Sequence, residues 1–236
     1  KPTVVIVPGA WHLPNSFSLL ITELTQRGYP CEAIRNPSAG ANPTDTNFFD
    51  DVSNLQKKLR TLLDNGRDVI LVSHSYGGTV VAHALKDEAE LAEMQSNGRI
   101  LSLVYIAAFA LKPGETVLEF NKPVDREAWS PLVDGVLPPP EAELFYSDMP
   151  QVNQYKWVKT LLHQPESVFM VPAEGEPWKC LPSMYVLTEH DKIVYPWRQE
   201  LMVERMGNDV QIVRLNSGHS PFLSMPGKVA NLFERA

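Results

Sequence analysis

The sequence predicts an α/β fold built on a mostly parallel, doubly wound sheet. Three observations carry this. Six strand-like runs are nearly all continuous in Val, Ile and Leu rather than alternating, helical stripes between them end on glycine, and the two kinds of segment alternate along the chain. Continuous apolar strands need cover on both faces. Strands that alternate with helices are joined by right-handed crossovers, which makes their neighbours parallel.

The strand-like runs are residues 3–7, 30–34, 68–73, 101–107, 184–188 and 210–215. The first helical stripe carries Phe17, Leu20, Ile21 and Leu24 before Gly28, and the second carries Phe48, Val52, Leu55, Leu59 and Leu62 before Gly66. Val80, Val81, Ala84 and Leu85 mark a third, and Trp197 and Leu201 before Gly207 a fourth. Each has helical spacing and a glycine or short loop to stop it.

Residues 112–182 break this rhythm. They hold eleven of the twenty prolines, including Pro138-Pro139-Pro140, show no clear strand, and offer one modest helical segment at 154–163. The stretch is also aromatic. A long irregular insertion in a regular fold is more often a lid or binding surface than a connector, because binding residues sit on loops carried by a rigid scaffold. The expected organisation is a core of residues 1–110 and 183–236 with an inserted cap at 111–182.

Composition narrows the function classes. With 236 residues, 44% of them hydrophobic and 21% charged, the chain can bury a full core. A net charge of −7 argues against a general nucleic-acid binder, which needs clustered Lys and Arg. The longest apolar run, 103–111, is far short of the ~20 residues of a membrane span. Cys31 and Cys180 cannot make a disulfide framework, no Cys/His cluster has zinc-site spacing, and both thiols are expected to be buried and free. The compartment stays open, with the cytoplasm favoured over secretion, and a start at Lys1 leaves room for a removed leader.

The most informative junction is Val69-Ile70-Leu71-Val72-Ser73-His74-Ser75-Tyr76-Gly77-Gly78-Thr79, a β-branched strand turning through small residues into an apolar helix. On such a sharp turn a serine projects its hydroxyl above the sheet, and its neighbours must be small. Ser-x-Gly alone should arise about once by chance in this length. Ser38-Ala39-Gly40 and Ser96-Asn97-Gly98 have the triplet without the strand and helix, so only Ser75 has the required context.

A serine hydroxyl needs a general base, itself oriented by a carboxylate. Of the six histidines, only His219 follows the last strand. The preceding strand leads into Glu189-His190-Asp191, where Asp191 is preferred because it lies farther into the loop, with Glu189 and then Glu115 behind it. Acyl transfer also needs fixed donors for a developing oxyanion. The amides of Tyr76, just after the serine, and Ala10, in the loop Pro8-Gly9-Ala10-Trp11, are the candidates.

Val7-Pro8-Gly9-Ala10-Trp11, Ser73-His74-Ser75-Tyr76-Gly77-Gly78, Thr188-Glu189-His190-Asp191 and Gly218-His219-Ser220-Pro221-Phe222-Leu223-Ser224 together resemble the α/β-hydrolase superfamily. The resemblance is to the branch of the plant methylesterases and hydroxynitrile lyases and its microbial relatives. It implies a six-stranded core, a small cap after the fourth strand and a triad that uses no cofactor and no metal. Ser75 matches the nucleophile, His219 the base, Asp191 the acid, and Ala10 and Tyr76 the oxyanion amides. Three residues depart from the pattern: Ser73 replaces the first glycine of Gly-x-Ser-x-Gly, Pro8 stands where many members have histidine, and Ser220 stands where the lyases carry a lysine. The last favours hydrolysis.

The expectation is therefore an esterase or lactonase for a fairly apolar small molecule, with Trp11, Phe109, Trp129, Phe145, Tyr155, Trp157 and Trp178 as candidate pocket residues. Carbon–carbon cleavage by the same triad, or ligand sensing without catalysis, are the rival readings. The expected partner is a small ester or lactone rather than nucleic acid or membrane, with a homodimer left open.

Overall fold

A computed structural model describes residues 1–121 and 132–234. At its centre lie β1 (Thr3–Val7), β2 (Cys31–Ala33), β3 (Val69–His74) and β4 (Ile100–Ile106). Two short strands of the insertion follow, β5 (Val136–Leu137) and β6 (Gln164–Pro165), and then β7 (Ser183–Thr188) and β8 (Gln211–Leu215) return to the centre. The central six form one sheet in the order β2-β1-β3-β4-β7-β8, every neighbouring pair parallel. β5 and β6 pair antiparallel as a separate ribbon.

The described residues also form ten α-helices, besides short 3₁₀ turns: α1 (Ser18–Gln26), α2 (Phe48–Asp64), α3 (Gly77–Ala84), α4 (Glu88–Met94), α5 (Val117–Phe120), α6 (Ala142–Tyr146), α7 (Gln151–Val158), α8 (Pro196–Met206), α9 (Pro221–Ser224) and α10 (Pro226–Leu232). α1 packs with α9 and α10, and α2 with α3 and α4. Every residue of β1, β3 and β7 is buried, as a sheet covered on both faces requires. A fully buried Val, Leu or Ile contributes roughly 1.5–3 kcal/mol, so this double cover is the main source of cohesion. Among the described residues no helix is long and apolar enough to cross a membrane.

Local signals explain the best-defined helix, α2. The Asn47 side chain accepts from the Phe49 amide, and Asp50 reaches back to accept from the Asn47 amide, a reciprocal cap at the N-terminus. Gly66 follows in the left-handed region, φ 71°, and ends it.

The insertion departs from the sequence expectation. Its helix stops at Val158 rather than continuing to 163, and α5, α6 and the β5–β6 ribbon are too short to leave a periodic trace. The thiols also differ: Cys31 is half-buried because β2 is an edge strand, and Cys180 is exposed at the end of a surface turn. Burial nonetheless pushes the Cys31 thiol up to about 12.

Candidate active site

Strand order decides which loops meet. β1 and β3 are parallel neighbours with Val7 opposite Ser73, so the loop after β1 emerges beside the turn after β3. β7 and β8 are parallel neighbours with Thr188 opposite Leu215, which sets the Asp191 loop beside the His219 loop. The chain runs from β1 to β2 on one side and then to β3 on the other. Such a switch point, at the carboxyl ends of the strands, is where open α/β sheets bind ligands.

Ser75 has φ 51°, a left-handed conformation that costs a non-glycine residue about 1–3 kcal/mol. The surroundings fix it there. Its amide donates to the Ile106 carbonyl at 3.3 Å, and its own carbonyl accepts from Gly78 and Phe109, both at 3.0 Å. Close packing explains the small neighbours: a Cβ on Gly77 would stand 2.4 Å from the Val7 carbonyl oxygen, and one on Gly78 2.2 Å from that of Phe109. Ser73, in place of the usual glycine, is accommodated inside β3 between Val7 and Tyr105.

His219 and Asp191 are both buried, and His219 Nδ1 donates to Asp191 Oδ2 at 2.7 Å. That bond fixes the tautomer, leaving Nε2 as a bare acceptor, and Nε2 is buried without a hydrogen-bond partner. The carboxylate is itself held. Oδ1 accepts from the amides of Ile193 and Val194 at 2.8 and 2.9 Å, and Oδ2 accepts from Thr188 Oγ1 and Gln199 Nε2 at 2.8 and 3.1 Å. Glu189 is exposed, and Glu115 is paired with Arg205 at 3.0 Å.

His74, next to Ser75, packs its ring 4.6 Å from that of His219 and donates Nε2–H to the His219 carbonyl at 3.1 Å. Burial holds His74 well below the usual histidine range and brings His12 down to about 3. Both rings are neutral near pH 7, so they add packing and dipoles without competing for the carboxylate. His12 donates Nδ1–H to the Ala10 carbonyl at 2.8 Å and accepts at Nε2 from the Tyr146 hydroxyl at 3.2 Å. Among the described residues, the amides of Ala10 and Tyr76 donate no hydrogen bond.

The candidate pocket residues separate into groups. Phe145 lies 5.8 Å from the His219 ring and 5.7 Å from Trp11, and Phe109 backs the elbow through its main chain. Trp11 is buried in the seam between the loop after β1 and the insertion. Trp178 packs edge-on to Tyr105 of β4, 6.2 Å away. Trp157 is half-buried on α7, and Tyr155 is 53% exposed there, which puts it on the surface. Trp129 falls outside the described residues.

Sequence reasoning did not single out Gln199, His12, Asp51 or Gln164. A signal existed for Asp51, which occupies a position on the apolar stripe of α2 between Phe48 and Leu55 and is buried there. Gln199 and Gln164 left none, because one glutamine in a helix or loop carries no periodic or motif information.

The comparisons agree with this architecture. The chain is 30% identical to an alpha/beta hydrolase, nvfD, of Aspergillus novofumigatus, over all of this chain and 96% of that protein. It is 28% identical to methylesterase 18 of Arabidopsis thaliana, over 94% of this chain and 92% of the relative. The solved structure of the methylesterase MES16 from Arabidopsis superposes with a TM-score of 0.78 at 24% identity, covering all of this chain and 98% of that one. Residues 4–232 match the alpha/beta hydrolase family, and the chain belongs to it.

Proposed function

We propose that this hydrolase cleaves a carboxylic ester or lactone of a fairly apolar small molecule, with Ser75 as nucleophile, His219 as general base and Asp191 as its orienting acid. One observation carries the reading: the buried Asp191–His219 bond leaves Nε2 bare, on a ring packed against His74, directly before a serine held at φ 51°. The curated relatives include a methylesterase, which points the same way.

In this mechanism Ser75 Oγ attacks the acyl carbon while its proton passes to His219 Nε2. The imidazolium that forms is stabilised by the Asp191 carboxylate, whose other bonds keep it oriented. Charge develops on the former carbonyl oxygen, where the unengaged amides of Ala10 and Tyr76 serve as donors. His219 returns the proton to the leaving alkoxide, which departs as alcohol and leaves the acyl-enzyme. Water then repeats the sequence, delivering a proton to His219 and hydroxide to the acyl carbon, and Ser75 is released with the free acid. The reaction as written needs no cofactor.

The rings of Phe145 and Phe222, set around His12 and His74, give the approach to His219 an apolar character suited to an aromatic or other apolar acyl or alcohol part. Ser75→Ala tests the chemistry: turnover of a p-nitrophenyl ester should vanish while the folded state persists. Unchanged activity in that variant would contradict the mechanism.

A further inference from the structure

The loop that carries the Ala10 amide is not held by the sheet alone. Trp11, at φ 65°, is tied to the insertion through three bonds. Its amide donates to Gln164 Oε1 at 3.2 Å, its indole Nε1–H donates to the Leu137 carbonyl at 2.9 Å, and its carbonyl accepts from the Leu162 amide at 3.0 Å. Because the peptide unit between Ala10 and Trp11 also has its carbonyl bonded to His12, both ends of that unit are fixed. Its rotation sets where the neighbouring Ala10 amide points.

Gln164 lies on β6 and is fully buried, with its other end engaged as well. Its Nε2 donates to Ser38 Oγ at 2.6 Å, and Ser38 Oγ in turn donates to Asp51 Oδ2 at 2.6 Å. The same Asp51 oxygen accepts from the Tyr76 hydroxyl at 2.7 Å, while Oδ1 accepts from the Ser38 amide at 2.9 Å. A continuous buried chain therefore runs from the Trp11 amide through Gln164, Ser38 and Asp51 to Tyr76. Its two ends are the residue after one candidate oxyanion amide and the residue bearing the other. The Ser38-Ala39-Gly40 triplet, which lacks the context of a nucleophile, supplies its middle.

We infer that Gln164 is a positioning residue for the oxyanion hole, so that the insertion acts on the rate of acyl transfer through the Gln164–Ser38–Asp51 chain and not only on substrate choice. The inference rests on the ester-hydrolase reading above. Hydrogen-bond donors must meet the oxyanion within a few tenths of an ångström, and a buried polar chain with every member bonded holds such geometry more tightly than apolar packing. A loop aimed by Gln164 stabilises the transition state more than the bound ester, because the oxyanion exists only in the former.

The experiment compares Gln164→Met, which keeps size and removes both polar ends, with the native enzyme on a p-nitrophenyl ester. In parallel it measures inhibition by an aryl trifluoromethyl ketone, which forms an oxyanion on the serine, and by an aryl ether analogue of the ester, which has no carbonyl and forms none. The expected result is a fall in kcat of about tenfold, short of the 10²–10³ that loss of a whole donor costs, with KM nearly unchanged. The trifluoromethyl ketone should weaken by about the same factor, and the ether should bind as before. Unchanged kcat and ketone affinity in folded Gln164→Met, or a rise in KM alone, would overturn the inference. Should that variant not fold, Ser38→Ala, which breaks the chain at its middle, must show the same pattern at smaller amplitude; unchanged kcat and ketone affinity there would equally overturn it. Ser75→Ala separates the two levels: activity surviving in it refutes the hydrolase reading, whereas a dead Ser75→Ala beside an unaffected Gln164→Met refutes only the role of Gln164.

Discussion

The two loops that meet at the candidate site are held in opposite ways. The turn after β3 is built by the sheet: Ser75 is bonded to residues at and just beyond the end of β4, and Gly77 and Gly78 are pressed against main-chain carbonyls of the loops that follow β1 and β4. The loop after β1 has few such ties and takes its bonds from the insertion, through Trp11, Gln164 and the His12–Tyr146 pair. Ser75 therefore inherits the rigidity of the core. The loop that bears the Ala10 amide inherits that of a region assembled from short helices and a two-stranded ribbon. On the proposed reading, the geometry at Ser75 can persist while the insertion changes, and the Ala10 side can be retuned through the same change.

The largest effect should come from the acid behind the base. Asp191→Asn can no longer hold His219 in the Nδ1–H tautomer, and kcat on a p-nitrophenyl ester should fall by about 10⁴, with a loss of stability of about 1–3 kcal/mol because the new amide faces buried donors. A fall of less than tenfold would remove Asp191 from the mechanism.

Next is the elbow's dependence on the sheet. Gly78→Ala puts a Cβ 2.2 Å from the Phe109 carbonyl oxygen, in main chain that cannot swing aside. The expected cost is about 3 kcal/mol, read by urea unfolding, with activity lost alongside. If Gly78→Ala is as stable as the native protein, the elbow is not clamped between strands as described.

The oxyanion side should respond to acid. Burial holds the folded pKa of His12 at about 3, whereas an unfolded histidine titrates near 6.5. Between these values the unfolded state binds the extra proton, so stability is intact above about pH 6.5 and is lost as pH falls toward 3. Replacing His12 by Gln should flatten that part of the stability–pH curve by a few kcal/mol across the window. Parallel curves for the two proteins would show that His12 is not buried neutral. The smallest effect belongs to Trp11→Phe, which keeps an aromatic ring but loses the bond to the Leu137 carbonyl and part of the buried indole, at a cost of about 2 kcal/mol in chemical unfolding. No cost at all would mean that the ribbon does not grip the loop through the indole.

The same contrast governs what the sequence reveals. β1, β3, β4 and β7 are readable because burial on both faces demands unbroken runs of Val, Ile and Leu, and the candidates Ser75 and Asp191 because they sit just after such strands, whereas the candidate His219 follows β8, an edge strand that is mostly exposed. β2, an edge strand, is only three residues long. The insertion was legible as an interruption with one helical segment, which α7 partly matches. Its ribbon of two residues per strand and its one-turn helices are held by particular contacts, such as Gln164 to Trp11, that join residues far apart in the chain and obey no period. Asp51 lay between these cases, being visible as an acid on an apolar stripe but without meaning until Ser38 and Tyr76 were brought to it.

The central claim is that Ser75 is a nucleophile activated by His219. Intact-mass spectrometry after treatment with a fluorophosphonate tests it most directly. A single covalent adduct is expected, mapped to the peptide containing Ser75, absent in Ser75→Ala and formed far more slowly in His219→Ala. No adduct on the native enzyme, or an adduct that persists in Ser75→Ala, would contradict it.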